Sequence, residues 1–373
     1  MNPFQYGKVV SDPYFVDRKK ELLELGDMLR SGNNLILHAP RRYGKTSLIM
    51  KLLSELDTPN TVYIDLFSVT SIESFINIYA NAVLKTRKAS VQDIVKKLGK
   101  LLRGVSPTVS FDSSGNPTWS FQFTASDNRE RSLVNILDLP HEMAMEGERY
   151  YVVFDEFQEI NRLNGDSFEK QLRASIQHHD NVSYVFMGSK THLLLDMFNS
   201  KNRALYHCGG MYALDKIPRQ AMLEFLFRRF KESRVEISED ILSELIQIAH
   251  NIPYYNQYLA AQLWQVCREM DDKDFDKMLS EAVLRILGNQ NDFYLTLYDH
   301  LTIYQRSVLK AITHESSNVF SQEYHRRHGL TSPSSTQRAV SALIEYGILE
   351  KIGDHYHFSD PFFTRWLQLR NYA

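Results

Sequence analysis

Ala39-Pro-Arg-Arg-Tyr-Gly-Lys-Thr-Ser47 decides how this chain is read. An apolar run, Asn33-Asn-Leu-Ile-Leu-His38, precedes it, and an apolar-periodic helix carrying Leu48, Ile49, Leu52 and Leu53 follows. Strand, loop and helix with Gly44-Lys45-Thr46 at the junction form the setting of a phosphate-binding loop. Backbone N–H groups at a helix N-terminus surround phosphate oxygens, a lysine reaches the β- and γ-phosphates, and a hydroxyl meets a magnesium ion. Gly44, Lys45 and Thr46 supply these parts, and Pro40, Arg41, Arg42, Tyr43 and Ser47 complete a loop expected to bind ATP or GTP. The first glycine of G-x-x-x-x-G-K-[ST] is Ala39 here, a small replacement that carries strain if φ > 0 is needed there. A Gly-Lys-Thr helix start also arises by chance on protein surfaces, so the loop needs a partner.

Tyr150-Tyr-Val-Val-Phe154 supplies one: five apolar residues, β-branched and aromatic, fit for a strand buried on both faces. It ends in Asp155-Glu156, where open α/β sheets bind ligands, beyond the carboxyl ends of their strands. Asp155, with Thr46, is the expected magnesium holder, and Glu156 the expected base that orients and deprotonates an attacking water. A solvent-exposed Asp-Glu pair at a strand end is the ordinary alternative; the phosphate-binding loop upstream argues against it.

Around these motifs, strands and helices alternate. A helix over Arg18–Leu29, with Asp17 as its N-cap, precedes the first strand. Thr61–Phe67 reads as a second strand, Ser71 caps a helix through Val83, and another helix runs over Val91–Leu102. Pro107–Phe111 and Thr118–Phe123 form a hairpin insertion, near 105–125. A helix over Ser132–Glu146 leads to the Asp155 strand, and one near Phe168–His178 leads to a fourth strand, Val182–Gly188, ending at Ser189. A short fifth strand falls at Met211–Ile217. This order predicts an α/β fold with a five-stranded parallel sheet in residues 1–217. Helical periodicity over 218–295 predicts a helical domain, and 296–373 a winged helix-turn-helix with its wing turning at Gly353-Asp354.

The whole chain narrows the classes. Its 373 residues are 43% hydrophobic and 24% charged, with net charge −2, ordinary for a globular protein and without a global basic footprint for nucleic acid. Eighteen uninterrupted apolar residues occur nowhere, and the N-terminus lacks a basic-then-apolar leader, so neither membrane span nor secretory signal is expected. Two cysteines, Cys208 and Cys267, fit a reduced cytoplasmic setting rather than a disulfide framework. The adjacent His178-His179 pair reads as a solvated helix end rather than a metal site.

Several segments together resemble a known family. Phe15-Val-Asp-Arg-Lys-Lys-Glu-Leu22, the 39–47 loop, Val153-Phe-Asp-Glu-Phe-Gln158 and Phe186-Met-Gly-Ser189 occur in order, followed by Ile252-Pro-Tyr-Tyr-Asn-Gln257 and Phe358-Ser-Asp-Pro-Phe-Phe-Thr-Arg-Trp366. Over nearly its full length the chain resembles the archaeal-type P-loop ATPases of the AAA+ and STAND group (signal-transduction ATPases with numerous domains), cousins of origin-recognition ATPases. The resemblance implies a lid formed by the helical domain, with Tyr14, Phe15 and the lid's Pro253 near the adenine. It implies a sensor role for Ser189, with a helix cap for the segment after it as the alternative. Asn251 stands where relatives commonly have glycine. His207-Cys208 stands where many relatives have arginine, which leaves Arg203 as the nearest candidate arginine finger. Lys201 competes with it, and ordinary solvated charge is the alternative for both.

These readings converge on a Mg-ATP-binding, slowly hydrolysing switch that repositions the winged helix for a protein or DNA partner, with oligomerisation on ATP binding left open. Three other readings compete: a nucleotide-gated binding module with negligible hydrolysis, a DNA-binding ATPase of origin-recognition type, and a small-molecule phosphotransferase. The winged-helix region carries eight Lys or Arg against seven Asp or Glu, and its recognition helix offers Ser334, Gln337 and Arg338, a weak footprint for DNA.

Overall fold

Five short strands form one parallel sheet, its central strands buried on both faces and its two outer strands alternating in burial. The strands are β1 (Leu35–His38), β2 (Thr61–Asp65), β5 (Tyr150–Asp155), β6 (Val182–Gly188) and β7 (Gly210–Ala213). They lie in the order β2-β5-β6-β1-β7, and every neighbouring pair is parallel. Two strands between them in sequence, β3 (Val105–Phe111) and β4 (Pro117–Phe123), form a separate antiparallel hairpin. The computed structural model describes residues 1–56, 58–87, 91–101, 105–115, 117–123, 133–270 and 274–370. Leu102, Asn116, Thr124, Ala125 and Ser132, which end or punctuate expected elements, lie outside the described residues.

The described chain forms two units, Arg18–Ala39 with Gly44–Asp215, and Met1–Asp17 with Pro40–Tyr43 and Lys216–Ala373. In the first, the core is aromatic. Phe154 of β5 is fully buried, with Phe75, Tyr79, Phe157, Tyr184 and Phe186 ring centroids within 6.2 Å of its own. The second unit holds five helices between Arg219 and Asp299, followed by three helices and the strands β8 (Leu349–Ile352) and β9 (His355–Phe358). The wing turns at Gly353-Asp354 as expected: Ile352 pairs with His355, and Gly353 takes φ 59°.

Element ends move where a side chain or a special backbone intervenes. β2 stops at Asp65, two residues early, because the Asp65 carboxylate accepts from the Phe67 N–H (3.0 Å) and starts a short 3₁₀ turn, Leu66–Ser68. Asp17 does not cap the first helix. Asp17 and Arg18 both have left-handed backbone, and the helix runs Lys19–Arg30 without a side-chain cap. The buried Arg18 guanidinium instead donates to Glu21 (2.6 Å) and to the Asp215 carbonyl (2.7 Å). The Ser132–Glu146 helix is broken into 133–137 and Leu139–Met143 and ends before Ala144, whose backbone is extended. The histidine pair divides: His178 is exposed, but His179 is buried against the Tyr184 hydroxyl (2.8 Å) and Asp138 (3.0 Å). A final helix, Pro361–Leu369, was not read from the sequence, although its Asp-Pro start is a capping signal.

Phe154→Ala should therefore empty the centre of the aromatic core and cost about 3–5 kcal/mol, as large aromatic truncations do. The check is urea denaturation of the transition that unfolds the sheet; a loss under about 1 kcal/mol would show that this ring is not central to the packing.

Candidate active site

The carboxyl ends of β1, β5 and β6 lie side by side, with His38 opposite Gly188. After β1, the loop runs into the helix Lys45–Glu55, whose N-terminus carries the positive end of the helix dipole. Gly44 caps that helix at φ 91°, a conformation that needs glycine. Ala39 carries no positive φ. The strain expected there falls on Arg42, at φ 69°.

Several polar side chains gather in this unit. Lys45 is buried, and its Nζ donates to the Ala39 carbonyl across the loop at 2.7 Å. Thr46 Oγ1 donates to Asp155 Oδ2 at 3.0 Å. Tyr63, on β2, donates its hydroxyl to the same oxygen at 2.5 Å. Glu156 follows Asp155 with a left-handed backbone, φ 50°, which turns its side chain out of the strand's alternation. Its Oε2 accepts from Gln158 Nε2 (2.6 Å), Ser189 Oγ (2.8 Å) and Ser189 N (3.2 Å).

The two adjacent carboxylates are driven apart. Burial raises the Asp155 carboxyl above the usual aspartate range, and its hydrogen bonds do not fully offset this. Burial also works against ionised Glu156, but the bonds from Gln158 and Ser189, with the Lys45 charge, outweigh it and hold this carboxyl below its ordinary value. Glu156 is thus a firmly ionised carboxylate, and Asp155 a desolvated one favoured by a cation. The Thr46 hydroxyl beside the Asp155 carboxylate is a hard-oxygen donor pair that fits magnesium.

Ser189 joins these groups, and the other expected residues fall in different surroundings. Ser189 spends its hydroxyl on Glu156, while the helix Thr191–Asn199 begins at Lys190 without a side-chain cap bond. Arg203 donates to Glu169, whose side chain is fully buried, and also contacts Asp196 and Asn161. Lys201 is exposed. Within the second unit, Tyr14 and Phe15 are half-buried; the Tyr14 carbonyl accepts from Gln257 at 3.3 Å, and Pro253 is buried at the start of Pro253–Glu269. Arg41 and Arg42 are exposed, and Tyr43 is buried.

Sequence reasoning missed Tyr63 and Gln158. Gln158 sits within the quoted Asp-Glu-Phe-Gln segment, and Gly188 leaves the room it occupies: a Cβ on Gly188 would collide with Gln158 Oε1. No local signal marks Tyr63, because only sheet pairing of β2 with β5 brings it to Asp155.

Against this geometry, the family comparison is decisive. Residues 15–259 match the model described as "ATPase domain predominantly from Archaea". The chain belongs to this ATPase family. Residues 292–369 match a second model, "probable winged helix domain". No curated protein matches the chain in sequence. Among solved structures it is similar to a Walker-type ATPase of Pyrococcus abyssi, 17% identical, TM-score 0.67, covering 99% of this chain and all of that one. It is also similar to the ORC2 protein of Aeropyrum pernix, solved with ADPNP and ADP (14% identical, TM-score 0.58, covering 99% and 98%). The ORC1 protein of the same organism, solved with DNA, is 15% identical with TM-score 0.52, covering 99% and 97%. These likenesses agree on the fold. Among the described residues, no helix is long and apolar enough to cross a membrane.

The Asp155 environment sets a pH dependence. An acid whose folded pKa is raised destabilises the fold once ionised, so its cost is present at neutral pH and vanishes below its unfolded value. Asp155→Asn should raise the melting temperature of the nucleotide-free ATPase at neutral pH, and the gain should shrink as pH falls toward about 3.9, the ordinary aspartate value. A variant less stable than wild type at neutral pH would show that the bonds from Thr46 and Tyr63 outweigh the burial.

Proposed function

We propose that this ATPase binds Mg-ATP at the carboxyl ends of β1 and β5 and hydrolyses it slowly, as a switch acting through its winged helix. The observation that carries the reading is the hydrogen-bonded set of Thr46, Asp155, Glu156 and Ser189, with the buried Lys45 charge acting on Glu156. The N–H groups at the start of Lys45–Glu55 and the Lys45 ammonium would hold the β- and γ-phosphates. Thr46 and Asp155 would hold magnesium, which when bound neutralises phosphate charge. Glu156 would take the proton from water attacking the γ-phosphorus, and Ser189 would hold the carboxylate in register for that transfer. Tyr14, Phe15 and Pro253 are assigned to the adenine by the family resemblance.

Slow turnover follows from Glu156 itself. Three donors on one oxygen lower the basicity of a carboxylate, and a weaker base takes the water's proton less readily. Arg203 is a poor arginine finger in this reading, since leaving Glu169 would strand a buried carboxylate, and a monomeric switch needs no finger. The partner is a protein or DNA. Ser334, Gln337 and Arg338 are exposed on the helix Pro333–Glu345, which supports a DNA contact without the basic surroundings of a strong one.

A paired experiment tests this. Lys45→Ala should remove the thermal stabilisation that Mg-ATP confers, because the phosphates lose their buried positive charge. Glu156→Gln should keep the stabilisation and lose about 10²–10⁴-fold in turnover. Stabilisation of Lys45→Ala equal to wild type would displace the site, and undiminished turnover in Glu156→Gln would place the base elsewhere.

A further inference from the structure

The tip of the phosphate-binding loop groups with the unit that carries the winged helix. Within that unit Arg42 is held from several sides. Its guanidinium lies over two rings of the helix Pro253–Glu269, 4.9 Å from the Tyr254 centroid and 4.7 Å from that of Tyr255. Its backbone carbonyl accepts from the Tyr254 N–H at 3.4 Å. Its Nη1 reaches Asp360 Oδ2, 318 residues away, at 3.5 Å.

Asp360 is built into the winged-helix unit. Its Oδ1 accepts from the Phe362 N–H (2.9 Å) and caps the helix Pro361–Leu369, and its Oδ2 accepts from the Tyr294 hydroxyl (3.0 Å). The neighbouring Ser359 carbonyl accepts from the Tyr255 hydroxyl at 3.2 Å. Arg41, one residue earlier in the loop, lies beside Gly347, where an added Cβ would be 3.8 Å from its Nη1. An exposed ion pair alone is weak. Here the carboxylate is only 22% exposed and the guanidinium has two aromatic faces, so removing either charge leaves the other in surroundings shaped for the pair. The left-handed Arg42 backbone gives the pair something to maintain, because that conformation persists in a non-glycine residue only where its neighbours hold it.

We propose that Asp360 is a positioning residue for the phosphate-binding loop: by holding Arg42 it couples nucleotide binding to the placement of the winged helix. The inference rests on the nucleotide site proposed above. Coupling of this kind is reciprocal, so nucleotide on the loop and disturbance of the Pro361–Leu369 helix must each be felt by the other.

The test is a double-mutant cycle on the full chain, with Mg-ATP affinity as the readout for wild type, Asp360→Asn, Arg42→Gln and the double variant. Asn keeps an oxygen for the Phe362 cap and removes the charge. Asp360→Asn should weaken ATP binding about three- to tenfold, the range of an ion pair reinforced by cation–π contacts. The double variant should bind no worse than Arg42→Gln alone. Wild-type affinity in Asp360→Asn, or losses that multiply in the double variant, would overturn the coupling while leaving Lys45-dependent binding, and so the site, intact. Hydrogen exchange of nucleotide-free Arg42→Gln decides the tie without ATP and without any change at Asp360. Faster exchange in residues 361–369 supports it, and unchanged exchange there refutes it. Failure of the wild-type chain to bind ATP would instead refute the proposed site.

Discussion

Two segments 109 residues apart meet in the hydrogen bond from Thr46 Oγ1 to Asp155 Oδ2, and the chemistry of the site depends on that meeting. It requires β1 and β5 to be parallel strands of one sheet with β6 between them, so that both their carboxyl ends open on the same side. The aromatic core under β5 fixes that placement from below. Tyr63 and the Glu156 N–H complete the grip on Asp155, leaving its charge desolvated but oriented. The next residue is treated in the opposite sense: donors gather on Glu156 and keep it ionised. In the proposed function these opposed environments suit Asp155 to a cation and Glu156 to a proton.

Much of this was legible from local pattern. The glycine, lysine and threonine of the loop, the apolar run ending in Asp155-Glu156, and the strand–helix alternation each carry their signal within a few residues. So do the wing turn at Gly353 and most helices of the second unit. What escaped reading depends on distant pairing. Tyr63 acts only through the sheet, and Asp360 meets Arg42 only once the chain has folded back on its loop. Special backbone also went unread: Arg18, Arg42 and Glu156 take left-handed conformations that no side-chain preference advertises. In each of the three, a polar side chain is re-aimed toward a charge or a donor.

Arg203 and His179 show a second limit. Both looked like surface groups in sequence, and both are tied to buried partners, Glu169 and Tyr184. A charged residue in a loop reads as solvated unless the buried acid opposite it is known. That acid, Glu169, lies on a helix face that the apolar periodicity assigns to the core.

The account stands on one nucleotide site assembled from Lys45, Thr46 and Asp155. Its most direct measurement is calorimetric titration of the wild-type chain with ATP, in the presence of magnesium and again with the metal chelated. A single saturable site per chain, tighter with magnesium, is the predicted result. Absence of saturable binding, or binding indifferent to magnesium, would contradict the assignment of Thr46 and Asp155 and the function built on them.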